Sequence, residues 1–362
     1  MMADSVAEQI AALKDEDWTV REEAAVSLGT LRDARAVGPL LALLKDSDRA
    51  VRDAAISALT AIGEASVTAL GGCLADPDFT VQESAAAILS TIGDARVTDP
   101  LIKALRSSDW IVRMHAAKAL GRIGDTRAAQ ALMPLLQDKV KAVRVDAAQA
   151  LTLIGLAAVP LLLEALKHDE WLVRLHAVEA LGKIKAPESV EPLLWVLFND
   201  QDAAVREDAV RSLGDIGDAK AVDFLLMVMK EARLRSVAVE ALGKIGDRRV
   251  VPALVEVVTG VNRPADIRPI DGCGDRWDSE MLAMEAAVKA LAQVRDEATI
   301  PTLVAALQNT VVRAEAAAAL VAFGQPAISP LLTVLRKERD ENILFHAKDA
   351  LARLGWRANR IQ

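Results

Sequence analysis

The amino-acid sequence predicts an all-α protein, an α-solenoid of about eleven stacked helix pairs, and three observations carry that expectation. Ala, Leu and Val supply most of an apolar content of 52%, aromatic residues are only 3%, and tyrosine is absent. Ala and Leu are strong helix formers, whereas sandwiches and barrels draw on Thr, Tyr, Phe and Ile. The segment V-R-x-x-A-x-x-A-L recurs along the chain at steps of 31, 30, 31, 31, 30, 32, 29, 49, 29 and 31 residues. Self-similarity at such a period is the signature of stacked supersecondary units.

The elements follow in order. A lone helix of the second type, about Asp4 to Lys14, opens the array and serves as a half-repeat cap. The first-type helices then start at VREEAAVSL (Val20), VRDAAISAL (Val51), VQESAAAIL (Val81), VRMHAAKAL (Val112), VRVDAAQAL (Val143), VRLHAVEAL (Val173), VREDAVRSL (Val205) and LRSVAVEAL (Leu234). After an interruption come AMEAAVKAL (Ala283), VRAEAAAAL (Val312) and the closing ILFHAKDAL (Ile343). Asp17, Asp48, Asp78, Asp109 and Asp202 stand three residues before their anchors, where an N-cap acceptor is wanted. The valine, two alanines and leucine share one face at helical spacing, and the small alanines permit close helix approach. Ile-Gly-Asp ends several units, as at Ile92-Gly93-Asp94 and Ile123-Gly124-Asp125, with glycine free to take the left-handed position beyond the helix. A second helix follows, with Pro39, Pro100, Pro192, Pro252, Pro301 or Pro330 in its first turn. Lys14, Lys45, Arg106, Lys167 and Arg336 close such helices, where the helix dipole favours a cation.

The unit D-x-x-V-R-x-x-A-x-x-A-L-x-x-I-G-D resembles the short bacterial HEAT repeat, of the type found in phycobilisome bilin lyases, over nearly the whole chain. The resemblance implies one domain, residues 1–362, forming a right-handed superhelix. Its concave surface, lined by the second helices, is expected to hold a protein partner without catalysis. It also implies an alternative, a bilin-lyase-like chaperone that handles a tetrapyrrole and its acceptor protein. A further HEAT-like reading, nucleic-acid recognition as in certain DNA glycosylases, meets a formal charge of −8, the opposite of a basic footprint. Another family with these repeats, deoxyhypusine hydroxylase, carries paired His-Glu motifs for iron. The matching pairs here are Met114-His115 and Leu175-His176, which removes that reading.

Residues that the repeat does not require are the candidates for function. The widest departure is Thr259 to Glu280, between the eighth and ninth units, read as an irregular insertion that contacts a partner through Arg263, Arg268, Arg276 and Trp277. Its acids Asp271, Asp275, Asp278 and Glu280 lack the ordered register of a calcium loop. Trp18, Phe79, Trp110 and Trp171 occur two residues before their anchors, where other units hold Arg49, Lys141 or Ala203. They form a candidate binding ridge, since Trp is enriched at interface hot spots.

His115, His176 and His346 share one repeat position with Asp146 and Asp208. Repeats spaced near 10 Å do not converge such residues on one ion with bonds near 2 Å, so they read as flank residues. Arg21, Arg52, Arg113, Arg144, Arg174, Arg206 and Arg313, one per unit, read as an ion-pair ladder between repeats. No phosphate loop, H-E-x-x-H, C-x-x-C or nucleophile elbow appears, so no enzyme activity, cofactor or metal is expected. Cys73 and Cys273 lie too many repeats apart for a disulfide. With an acidic N-terminus lacking a signal pattern and no long apolar run, they fit a cytoplasmic protein.

Overall fold

The computed structural model describes residues 2–260 and 274–356 and divides into two compact units, Met1–Ala180 and Leu181–Gln362. Among the described residues every regular element is helical. In the first unit the first-type helices Trp18–Leu31, Arg49–Ile62, Phe79–Ile92, Trp110–Ile123 and Lys141–Ile154 pack side by side. Each leads through a 3-10 turn into a shorter second-type helix: Val37–Ala42, Val67–Cys73, Thr98–Ala104, Ala129–Leu132 and Val159–Ala165. The second unit repeats the scheme with Ala203–Ile216, Arg235–Ile245, Gly274–Val294, Arg313–Phe323 and Glu341–Arg353 as first-type helices. Its second-type helices are Val190–Asn199, Val222–Val228, Val251–Thr259, Ile300–Ala306 and Ile328–Lys337.

The core runs between the two helix types. Leu28, Leu59, Leu89, Leu120 and Leu151 on the first-type helices and Leu40, Leu70, Leu101, Leu132 and Leu162 on the second-type helices are all fully buried. Each such leucine contributes about 1.5–3 kcal/mol. The predicted N-caps form: Asp17, Asp48, Asp78, Asp109 and Asp202 each accept the backbone N–H two residues on, at 2.7–2.9 Å. A second series does the same for the 3-10 turns. Asp33, Asp94, Asp125, Asp218, Asp247 and Asp296 accept from the N–H two residues on. The aspartate of Ile-Gly-Asp therefore starts the next element as well as marking the end of the last.

Two hairpin geometries result. Where Asp follows, as at Gly93 and Gly124, the glycine is left-handed at φ 69–70° and ψ 16–41°. Where Glu64 or Leu156 follows, Gly63 and Gly155 swing to ψ −127° and −138°, a region that only glycine occupies readily. Those linkers are one residue shorter, which accounts for the 30-residue steps after Val51 and Val143. The same glycines qualify the expectation that no apolar stretch is long enough to cross a membrane. Arg49–Cys73 and Lys141–Ala165 pass on length and composition. Each is broken at its glycine into two helices joined through a 3-10 turn, Arg49–Ile62 with Val67–Cys73 and Lys141–Ile154 with Val159–Ala165.

First-type helices touch backbone to backbone. A Cβ built on Gly121 would stand 2.7 Å from Ala150 Cα, and one on Gly214 2.7 Å from Ala241 Cα. The glycine after the repeat leucine therefore sets the helix spacing, although the repeat pattern itself is written in valine, alanine and leucine.

The arginines are only partly a ladder between repeats. Arg21 forks onto Asp46 at 2.8 and 2.9 Å, and Arg113 onto Asp138 at 2.7 and 3.0 Å. The contact common to more units is local. Nη1 of Arg21, Arg52, Arg113, Arg144 and Arg174 donates to carbonyls five and six residues earlier, tying down the loop that enters the helix.

The predicted irregular segment contracts at both ends. Thr259 closes helix Val251–Thr259, with Gly260 left-handed behind it. Gly274–Val294 is a helix of 21 residues, against 14 for Ala203–Ile216. Its extra turns at the N-terminus cover the last part of the stretch read as irregular, and Glu280 there pairs with Arg235 at 3.4 Å.

Candidate functional site

The predicted ridge residues occupy equivalent places. Trp18, Phe79, Trp110 and Trp171 are each the first residue of a first-type helix, directly after the capping residue, and their side chains are 41–48% exposed. Arg49 interrupts the row between Trp18 and Phe79, and Lys141 between Trp110 and Trp171, and no ring–ring contact joins two of the aromatics among the described residues. They form a row of separate apolar points, not one continuous surface. Arg263 and Arg268 lie outside the described residues, as do the side chains of Arg276 and Trp277 and the acids from Asp271 to Asp278.

A denser surface stands on the second-type helices of the second unit, where the sequence reading named no site. Trp195 and Phe198 on Val190–Asn199, and Phe224 and Met227 on Val222–Val228, are 59, 45, 41 and 59% exposed. Residues three apart share a helix face, so each helix offers a pair. The two pairs meet where Phe198 and Phe224 stack edge to face with centroids 6.1 Å apart. Aligning the second helices on their buried leucine exposes the signal that identifies the patch. The place of Trp195 holds Ala42, Gly72, Lys103, Pro134 and Glu164 elsewhere, and that of Phe198 holds Lys45, Arg106, Gln137 and Lys167. Trp195, Phe198 and Met227, which shares the repeat place of Trp195, thus stand where the first unit holds small or polar side chains.

The titratable groups serve structure. Arg35 and its backbone N–H hold the Asp33 carboxyl down to about 2, and Arg127 does the same for Asp125. His115 is half-buried and its Nδ1 has no hydrogen-bond partner. Burial, then Lys118, pushes its imidazole below the ordinary value against the opposing pull of Asp146, whose own carboxyl burial pushes up. Burial raises the thiol of Cys73, which disfavours the nucleophilic thiolate. No group of three His, Cys, Asp or Glu is placed to hold a metal among the described residues.

Comparison with known proteins agrees with this architecture. A family model described as HEAT repeats matches residues 6–86, 67–152, 136–195, 159–237, 190–265 and 278–355. No curated protein matches the sequence. Among solved structures, a Kap95:Nup1 complex aligns over 98% of this chain and 58% of that one, with TM-score 0.66 and 16% identity. Importin beta aligns over 95% and 57%, with TM-score 0.62 and 16% identity. The karyopherin Kap121p bound to the extreme C-terminus of the protein phosphatase Cdc14p aligns over 97% and 46%, with TM-score 0.64 and 14% identity. The chain spans about half the length of these structures, and identities this low establish a shared fold alone.

Proposed function

The chain belongs to the HEAT-repeat family, and from that premise we propose that it is a non-catalytic interaction scaffold of the cytoplasm, holding a protein partner on its second-type helices. The observation that carries this reading is the exposed cluster of Trp195, Phe198, Phe224 and Met227. Side chains of this kind, gathered and solvent-facing, are enriched at interface cores, where they bury a large apolar area. The row of Trp18, Phe79, Trp110 and Trp171 supplies further contact points in the first unit, as Arg263, Arg268, Arg276 and Trp277 do in the second. Proteins of the same fold support the reading: the Kap121p structure holds the C-terminus of Cdc14p, and that of Kap95 holds Nup1.

The test is affinity capture from extract of the native cells with the intact protein and two variants, followed by mass spectrometry. Trp195→Ser with Phe224→Ser is expected to lose at least tenfold in captured partner while keeping the helical circular dichroism of the parent. Leu156→Ser, which removes a singly exposed leucine, is expected to capture as the parent does. Equal capture by the double variant would exclude the patch as the partner surface.

A further inference from the structure

A groove of about 440 Å³ opens in the first unit between the second-type helices Val67–Cys73 and Thr98–Ala104, closed at one end by Phe79. Three departures from the repeat meet there. Gly71 stands where Leu41, Ile102, Met133 and Leu163 stand in other repeats of the unit, and Val97 packs 3.0 Å from where its Cβ would be, so the helices close up behind the groove. Gly72 beside it has open space where a Cβ would be. Gln82 replaces the repeat arginine, and its partner 25 residues on is Ser107 instead of the aspartate found at Asp46 and Asp138. That exchange removes a carboxylate from the groove wall.

The charge that remains has one sign. Lys103 and Arg106 line the groove, no acidic residue does, and neither cation forms an ion pair among the described residues. The equivalent cation of an earlier repeat, Lys45, is already paired with Asp76 at 3.1 Å. The comparable groove of the second unit sets Lys337 beside Glu338. A chain of formal charge −8 thus has a groove lined by free cations, an exposed aromatic ring and the bare backbone of Gly72.

We propose that this groove binds an extended acidic segment of the protein partner, with carboxylates on Lys103 and Arg106 and an apolar side chain against Phe79. The glycine floor lets the segment's backbone approach closely, and unpaired cations on an acidic protein select the sign of the ligand. A nucleic acid fits less well. Two cations neutralise too few phosphates for firm binding, and the surrounding protein charge repels the rest. The inference rests on the scaffold reading and adds a chemical class to it.

A phage-displayed random dodecapeptide library selected on the intact protein tests it. The expected pool is enriched in Asp and Glu around an apolar residue. The synthetic consensus peptide should bind more weakly as salt rises, and lose at least tenfold in affinity with Lys103→Glu and Arg106→Glu together or with Gly72→Leu. A Cβ at Gly72 meets nothing within 4 Å and leucine is a better helix former than glycine, so Gly72→Leu is expected to fold, which its helical circular dichroism checks. Lys167→Glu, the same charge change at the same place in another repeat, should bind as the parent does.

A pool without acidic enrichment, or acidic peptides indifferent to both groove variants, overturns the proposal. So does a twenty-residue oligothymidylate that displaces the peptide. Peptides lost only with Trp195→Ser and Phe224→Ser overturn the groove and leave the scaffold standing; an empty selection counts against both.

Discussion

Arg113 and Arg144 hold the same place in successive repeats, yet only one has a full set of partners. Arg113 reaches Asp138 with Nε and Nη2 and the carbonyls of Ser107 and Ser108 with Nη1. Arg144 has the carbonyl contacts, but its Nε is buried without a partner, and His168, in contact with Gln137, stands where Asp138 does. His168 already accepts from the N–H of Glu170, as Asp46 does from Asp48. His168→Asp therefore keeps that bond and adds the charged pair, and is expected to stabilise by about 1–2 kcal/mol, read as a higher urea midpoint. His115 gives the pH prediction. Its folded-state pKa lies below the ordinary value of about 6.5, so the unfolded chain takes the proton first. Its contribution is intact above pH 6.5 and declines as pH falls from there toward the lowered folded value. Lys118 and Asp146 are the charged neighbours, and a comparison with His115→Gln cancels the other carboxylates. The parent should lose more stability than that variant between pH 7 and 5.5.

At the level of the helix, spacing is set where side chains are missing. Gly121→Ala drives a methyl into Ala150, whose Cα would lie 2.7 Å away, and overpacking of this kind costs about 1–3 kcal/mol. Gly72→Ala meets nothing and should gain up to about 1 kcal/mol from helix propensity. Two identical substitutions are thus expected to shift the urea midpoint in opposite directions. Much of this element order was legible beforehand, since Asp17, Gly93 and Pro100 each do one local job that a repeat restates many times. What escaped was relational. Gly121 matters through Ala150 in the next helix, and Trp195 stands out only when second helices are aligned with one another. The first helices carry the stronger repeat, and in their register the ridge at Trp18 stands out while the patch at Phe198 does not.

Over the whole chain, stability in such an array is a sum over repeats and their nearest neighbours, so damage stays near its source. Gly121→Ala is expected to speed amide hydrogen exchange in Trp110–Ile123 and Lys141–Ile154 while leaving Arg313–Phe323 as slow as in the parent. Uniform acceleration throughout would mean that the array unfolds as one cooperative body. Function is spread in the same way and is less legible, because the repeat specifies a fold that many activities share. The contacts Arg21–Asp46, Arg113–Asp138, Gln82–Ser107 and Met284–Asn309 bear on how such a chain is copied. In each, a first-type helix is matched to the loop that leads into the next repeat, so the partners fall on opposite sides of the visible unit boundary. A duplication or chimera spliced in the loops would join an arginine to a serine or an asparagine to a guanidinium. One spliced within the first-type helices, ahead of the arginine, would carry each matched pair across whole. The unit that can be shuffled without loss is therefore out of phase with the unit that the eye picks out.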